Sequence, residues 1–206
     1  MNLWMTTEAA GVIATLAADL APKARRILEL QCGDGSLAAR LLKLIPGATW
    51  KGYESDPDLA ERAAAQLEFM GSGVSLVQED FRRASLGNGF DLAVSASGLL
   101  GLSPEEKERI LVHVHHALLP GGALLFADAV RPPSAGIAAA YRLLEREELH
   151  AQGLSREAVE REIKEEVERK GLWSVEEELY RLRKAAFREV DLAWKCWDRA
   201  VFAGLK

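Results

Sequence analysis

The sequence predicts an α/β fold, a doubly wound sheet that is largely parallel and covered by helices on both faces. Three observations predict it. Between residues 26 and 127, five strand-like segments alternate with helical ones, the pattern of parallel strands joined by right-handed crossovers. The first strand-like run stops at Gly33-Asp34-Gly35 and passes straight into a helix. The last two runs, residues 189–195 and 199–205, are joined only by Cys196-Trp197-Asp198. That link is too short for a parallel crossover, so they form an antiparallel hairpin at the sheet.

The elements follow in order. A first helix is expected over residues 7–20, where Val12, Ile13, Leu16 and Leu20 share a face and Pro22 stops it. Residues 26–31 are a buried strand. The helix after the glycine turn carries Leu37, Leu41, Leu42 and Ile45 on its apolar face and closes at Pro46-Gly47. Residues 49–54 are the second strand. Asp56-Pro57 opens the next helix, with proline in the first turn where its missing N–H is harmless. Residues 74–78 and 90–95 are the third and fourth strands. Ser103-Pro104-Glu105-Glu106 has the form of a capping box. Its helix is expected to reach Leu119, with Pro120-Gly121-Gly122 breaking it before a fifth strand over 123–127.

After Asp128 the rhythm changes. A loop through Pro132-Pro133 leads into helices expected over 138–150 and 156–170. The second has only a thin apolar stripe, Val159, Ile163 and Val167. Its polar side offers the i,i+4 pairs Glu157/Arg161, Glu160/Lys164, Glu165/Arg169 and Glu166/Lys170. Residues 1–206 read as a single domain with a helical insertion at about 131–173. That insertion is a candidate lid or homodimer contact, or simply a solvated outer helix. Ser174-Val175-Glu176-Glu177 is a second capping box, with its helix ending near Ala186.

Length and composition agree with one soluble domain. A 206-residue chain buries roughly 70% of its unfolded surface without staples. The net charge of −5 argues against a nucleic-acid partner; the clusters Lys23/Arg25/Arg26, Arg82/Arg83 and Arg181/Arg183/Lys184 are short and read first as solvated surface. Two cysteines, Cys32 and Cys196, give neither a disulfide framework nor a zinc spacing. No signal peptide and no membrane-spanning stretch are expected, and a reducing cytoplasm is the natural compartment.

The chemistry concentrates where the first strand meets its helix, Glu29-Leu30-Gln31-Cys32-Gly33-Asp34-Gly35. Amides at a helix N-terminus are exposed and electropositive, and glycines admit a ligand against the backbone. Glu54 closes the second strand, where an acidic group in doubly wound folds accepts hydrogen bonds from ribose hydroxyls. Asp80-Phe81 follows the third strand and could receive an adenine amino group and stack on the base. Gly33-Asp34-Gly35-Ser36-Leu37-Ala38 also matches GxGxxA, a dinucleotide fingerprint, so a nicotinamide cofactor stays open as an alternative.

The combined motifs resemble class I S-adenosylmethionine-dependent methyltransferases of small-molecule type. Residues 27–35 are similar to that superfamily's first motif, Gly52-Tyr53-Glu54-Ser55-Asp56-Pro57 to the second and Gln78-Glu79-Asp80-Phe81 to the third. Phe90–Ser95 resembles the fourth, and residues 118–128 the segment before and through strand five. Residues 182–194 are similar to the last helix and penultimate strand. The C-terminal run also resembles the subgroup near carboxy-S-adenosylmethionine synthase. The resemblance implies a seven-stranded Rossmann-like sheet ordered 3-2-1-4-5-7-6, with strand seven antiparallel. It implies S-adenosylmethionine as cofactor, held by Glu29, Gln31, Cys32, Gly33, Gly35, Glu54, Ser55, Asp80, Phe81 and Ser95.

This chain departs from the pattern in places. Gln31 stands where the family has the first glycine of its turn. Leu100-Gly101 replace a histidine pair that many relatives carry, so no catalytic acid or base is named. Ile163 occupies the approximate position of the synthases' carboxylate-binding arginine, which disfavours that chemistry.

A sulfonium is already an activated donor, so methyl transfer rests on aligning the acceptor and excluding water. Acceptor-side candidates are Ser97, Asp128, Arg131 and Tyr141; Arg131 could clamp an acidic acceptor but reads first as a solvent-facing loop residue. His113 and His116 share a helix face but lack a third metal ligand, so no metal is expected. Trp173, Trp194 and Trp197 are candidates for an aromatic pocket or for packing. The leading function is S-adenosylmethionine-dependent methyl transfer to a small-molecule acceptor. The alternatives are a non-catalytic or partner-dependent S-adenosylmethionine-binding protein and, third, an NAD-dependent oxidoreductase.

Overall fold

The computed structural model describes residues 3–167 and 172–206. Their strands are β1 (Arg26–Leu30), β2 (Thr49–Tyr53), β3 (Val74–Val77), β4 (Phe90–Ser95), β5 (Leu118–Ala129), β6 (Arg188–Cys196) and β7 (Arg199–Leu205). They form a seven-stranded sheet in the order β3-β2-β1-β4-β5-β7-β6. The pairs from β3 to β5 are parallel, and β7 runs antiparallel to both β5 and β6.

Alternate residues along each strand divide the core in two. Ile27, Leu92, Val94, Leu125 and Val201 face α1 (Leu3–Leu20), α2 (Ser36–Leu44) and α3 (Pro57–Leu67). Leu28, Leu30, Ala93, Leu124, Phe126 and Phe202 face α4 (Pro104–Ala117) and α7 (Val175–Lys184). Burial on both sides explains why the central strands read as unbroken apolar runs.

Local signals set the helix starts. Asp56 accepts from the amides of Asp58 and Leu59, with Pro57 just inside the helix. Ser103 and Ser174 each form the complete capping box with Glu106 and Glu177. Ser134 caps α5 (Ala135–Ala151) by accepting from the Ile137 amide, so that helix starts three residues earlier than its apolar pattern indicates.

The Pro-Gly-Gly segment behaves differently from expectation. Helix α4 stops at Ala117, and β5 begins at once with Leu118 beside Phe90. The reason is pairing: the Gly121 amide donates to the Lys206 carbonyl at 3.0 Å and the Lys206 amide to the Gly122 carbonyl at 2.9 Å. Neighbouring chain captures the glycines into the strand.

The insertion after β5 carries α5 and α6 (Arg156–Val167). These helices enclose a third small core of Leu149, Val159 and Ile163. Both ends of the excursion meet at Arg131. Its amide donates to the Trp173 carbonyl at 2.8 Å, and its guanidinium pairs with Glu177 at 2.6 Å. On α6, Glu160 pairs across to Arg146 of α5 at 2.7 Å. The expected pairs Glu165/Arg169 and Glu166/Lys170 lie outside the described residues. Among the described residues, no helix is long and apolar enough to cross a membrane, and no cluster of three metal-ligating side chains occurs.

Candidate active site

The site begins where β1 ends. Gln31, Gly33 and Gly35 all take left-handed backbone angles, φ 54°, 60° and 82°, which turns the chain tightly into α2. A Cβ on Gly35 would press within 3.3 Å of Ala63 and Leu67, so glycine there allows α2 and α3 to meet. A Cβ on Gly33 would meet nothing within 4 Å; the turn's outer face is open.

Glu54 follows β2 and is fully buried. Its Oε1 accepts from Gln31 Nε2 at 2.7 Å and from the Asp56 amide at 2.9 Å, and its Oε2 accepts from the Gly33 amide at 2.8 Å. A carboxylate offers about four acceptor positions, so one remains, on Oε2.

Glu29 lies deeper, also buried, and accepts from the Trp50 indole at 2.8 Å. Burial pushes its carboxyl up to about 8, and the indole bond pulls the other way. Burial therefore favours its neutral form. Burial likewise pushes the Cys32 thiol up, so Cys32 is protonated and is no nucleophile.

After β3, Asp80 accepts from the Arg82 amide and from its guanidinium, at 2.6 Å for the closest contact. The Arg82 side-chain bond holds the Asp80 carboxyl below the usual carboxylate range. Phe81 is almost wholly buried beside it. At the end of β4, Ser95 is buried and ties strands together. Its hydroxyl donates to the Leu30 carbonyl at 2.9 Å and accepts from the Gly98 amide at 2.8 Å. A Cβ on Gly98 would come 2.6 Å from that carbonyl, so the chain after β4 passes close over the end of β1.

These segments enclose a cleft of about 800 Å³, the size class of small-molecule sites. Of the expected cofactor residues, Glu29, Gln31, Cys32, Gly33, Glu54, Ser55, Asp80 and Phe81 line it together. Gly35 and Ser95 stand behind the lining and shape it. Of the acceptor-side candidates, Ser97 lines the cleft. Asp128 is buried in an ion cluster with Lys107 at 2.6 Å. Arg131 closes the base of the insertion, and the Tyr141 hydroxyl accepts from Lys195 at 3.3 Å. The described cleft lining comes from residues 7–102, without the insertion.

Other lining groups escaped the sequence reading. Thr7 and Ala10 of α1, with Arg40, Leu59 and Arg62, complete the walls; only tertiary packing brings α1 there. Arg82, read in sequence as part of a short solvated basic cluster, also lines the cleft, beside the turn that Asp80 makes with the amide two residues on.

The residues present suit an adenosyl ligand: an acidic strand-end group with an acceptor position left, an open glycine turn, and a carboxylate beside an aromatic ring. Residues 27–122 match the model of a methyltransferase-domain family. The chain is 32% identical over 129 residues to demethylmenaquinone methyltransferase of Thermus thermophilus, an alignment covering 62% of this chain and 57% of that protein. It is 24% identical over 201 residues to carboxy-S-adenosyl-L-methionine synthase of Erwinia tasmaniensis, covering 95% and 80%. An O-methyltransferase family protein from Burkholderia thailandensis shares the fold with a TM-score of 0.71 at 17% identity, over all of this chain and 58% of that one. The chain thus spans little more than half the length of the Thermus and Burkholderia relatives. Sheet order, strand-end motifs and the matched stretch together make residues 27–122 similar to a methyltransferase domain.

Proposed function

We propose that this chain moves a methyl group from S-adenosylmethionine to a small-molecule acceptor. The observation that carries the reading is Glu54, a buried carboxylate in the cleft beside an open glycine turn, with an acceptor position left on Oε2. Glu54 would hold the ribose, the turn from Gln31 to Gly35 the methionine part, and Asp80 with Phe81 the adenine, with Ser55 at the rim. The bound sulfonium supplies an activated methyl group. The chain's own contribution is to orient the acceptor and exclude water; Ser97, beside Leu100 and Leu102, is the proposed acceptor-side wall.

Titration calorimetry with S-adenosylmethionine and S-adenosylhomocysteine tests the reading. Micromolar binding that Glu54→Ala weakens at least tenfold is the expected result. Absence of heat with either ligand, from folded protein, would discard it.

Exposed Ile137, Leu143 and Leu144 on α5 support a homodimer contact through the insertion; a monomer by sedimentation at micromolar concentration would argue against it. Two free cysteines and the acidic net charge support a reducing, cytoplasmic setting.

A further inference from the structure

Gln31 is a half-buried side chain in the cleft wall, held at a left-handed φ of 54°. Its amide group faces a carboxylate that can only accept, so the group pointing at Glu54 is the NH₂ donor. The bond is short, 2.7 Å to Oε1, and charge-assisted. Together with the Asp56 amide at 2.9 Å it fills both positions of Oε1, while the Gly33 amide takes one on Oε2 at 2.8 Å. The two backbone donors are fixed by the turn and by the start of α3. Gln31 is the mobile member, because side-chain torsions alone can swing its amide away.

A vicinal diol needs two acceptor positions, and Glu54 has one to give while Gln31 is in place. We propose that Gln31 is a displaceable latch on Glu54: its side-chain amide stands in for one sugar hydroxyl, and a ribonucleoside must expel it to engage Glu54 with both. Gln31 thereby determines sugar specificity in the cleft. A ribonucleoside loses part of its second hydrogen bond to the exchange. A nucleoside with a single hydroxyl needs only the position left on Oε2 and leaves the latch closed. The wild-type chain therefore discriminates weakly between ribose and deoxyribose. The inference rests on the adenosyl-binding reading above.

The test is calorimetric titration of adenosine, 2′-deoxyadenosine and 3′-deoxyadenosine into wild type, Gln31→Ala and Gln31→Gly, the last matching the left-handed backbone. Removing the latch should tighten adenosine roughly tenfold, the scale of one net hydrogen bond to a charged group. The deoxynucleosides should change less than about twofold, because their mode never opens it. The ribose-to-deoxyribose ratio therefore rises about tenfold, a readout that a purely structural role would not move. Binding of adenosine by a variant but not by the wild type would support the latch in its strongest form. Equal changes for all three nucleosides, or weaker adenosine binding in both variants, would overturn it and leave the adenosyl reading intact. Failure of wild type and variants alike to bind any adenosyl ligand would overturn both.

Discussion

The indole nitrogen of Trp50 donates to the Glu29 carboxyl at 2.8 Å, both side chains buried beneath the glycine turn. Because burial pushes Glu29 up to about 8, the folded state binds a proton that the unfolded chain releases above its ordinary value of 4.5. Stability is therefore full below the unfolded value and declines as pH rises toward 8. Glu29→Gln keeps an acceptor for the indole and removes the titration. Its unfolding midpoint should match the wild type at pH 5, exceed it at pH 8.5, and vary little between. Parallel curves in thermal melts across that range would contradict this.

The same ring dictates the residue two positions on. A Cβ on Gly52 would come within 2.1 Å of the Trp50 ring, so Gly52→Ala must displace the indole and its bond to Glu29. Overpacking of this kind costs about 1–3 kcal/mol, read as a lower urea midpoint with an unchanged slope.

Lys107 lies between two carboxylates, Asp128 at 2.6 Å and Glu178 at 2.8 Å, with its ammonium over the Trp173 ring. Burial raises the Glu178 carboxyl, and Lys107 opposes that shift. Lys107→Met leaves two facing acids without a cation and should destabilise the fold by about 3–5 kcal/mol. Chemical denaturation measures it. A loss below 1 kcal/mol would mean that the acids neutralise each other by sharing a proton.

Asp80→Asn keeps the side chain's shape and removes the charge that Arg82 grips. If the adenine contact is made here, affinity for S-adenosylhomocysteine should fall by roughly tenfold, with the melting temperature nearly unchanged because the pair is exposed. Unaltered affinity in a competition assay would remove Asp80 from the binding set.

Much of this architecture was legible residue by residue. Capping boxes at Ser103 and Ser174, Pro57 inside its helix and the short link before Arg199, two residues once Cys196 joins β6, are local signals with local causes. So was the alignment of Gln31, Glu54 and Asp80 at successive strand ends, which follows from parallel crossovers. Contacts across the fold were not legible. Nothing near Trp50 in sequence announces Glu29, and nothing near Arg131 announces Glu177. The extension of β5 back to Leu118 was hidden because Pro120-Gly121-Gly122 breaks a helix locally but is held in the sheet by Lys206, 84 to 86 positions later.

The clasp at Arg131 has a consequence for how this molecule can diversify. The chain leaves the end of β5 and comes back beside it, at Trp173, before α7, and the helices between carry apolar packing of their own in Leu149, Val159 and Ile163. Such an excursion should behave as a cassette, its length and chemistry free to change while the register of β5 against β7 is preserved. Grafting a foreign helical pair between Pro133 and Leu172 should leave cooperative unfolding of the sheet intact, and loss of that transition would show that the cassette and the sheet are one folding unit.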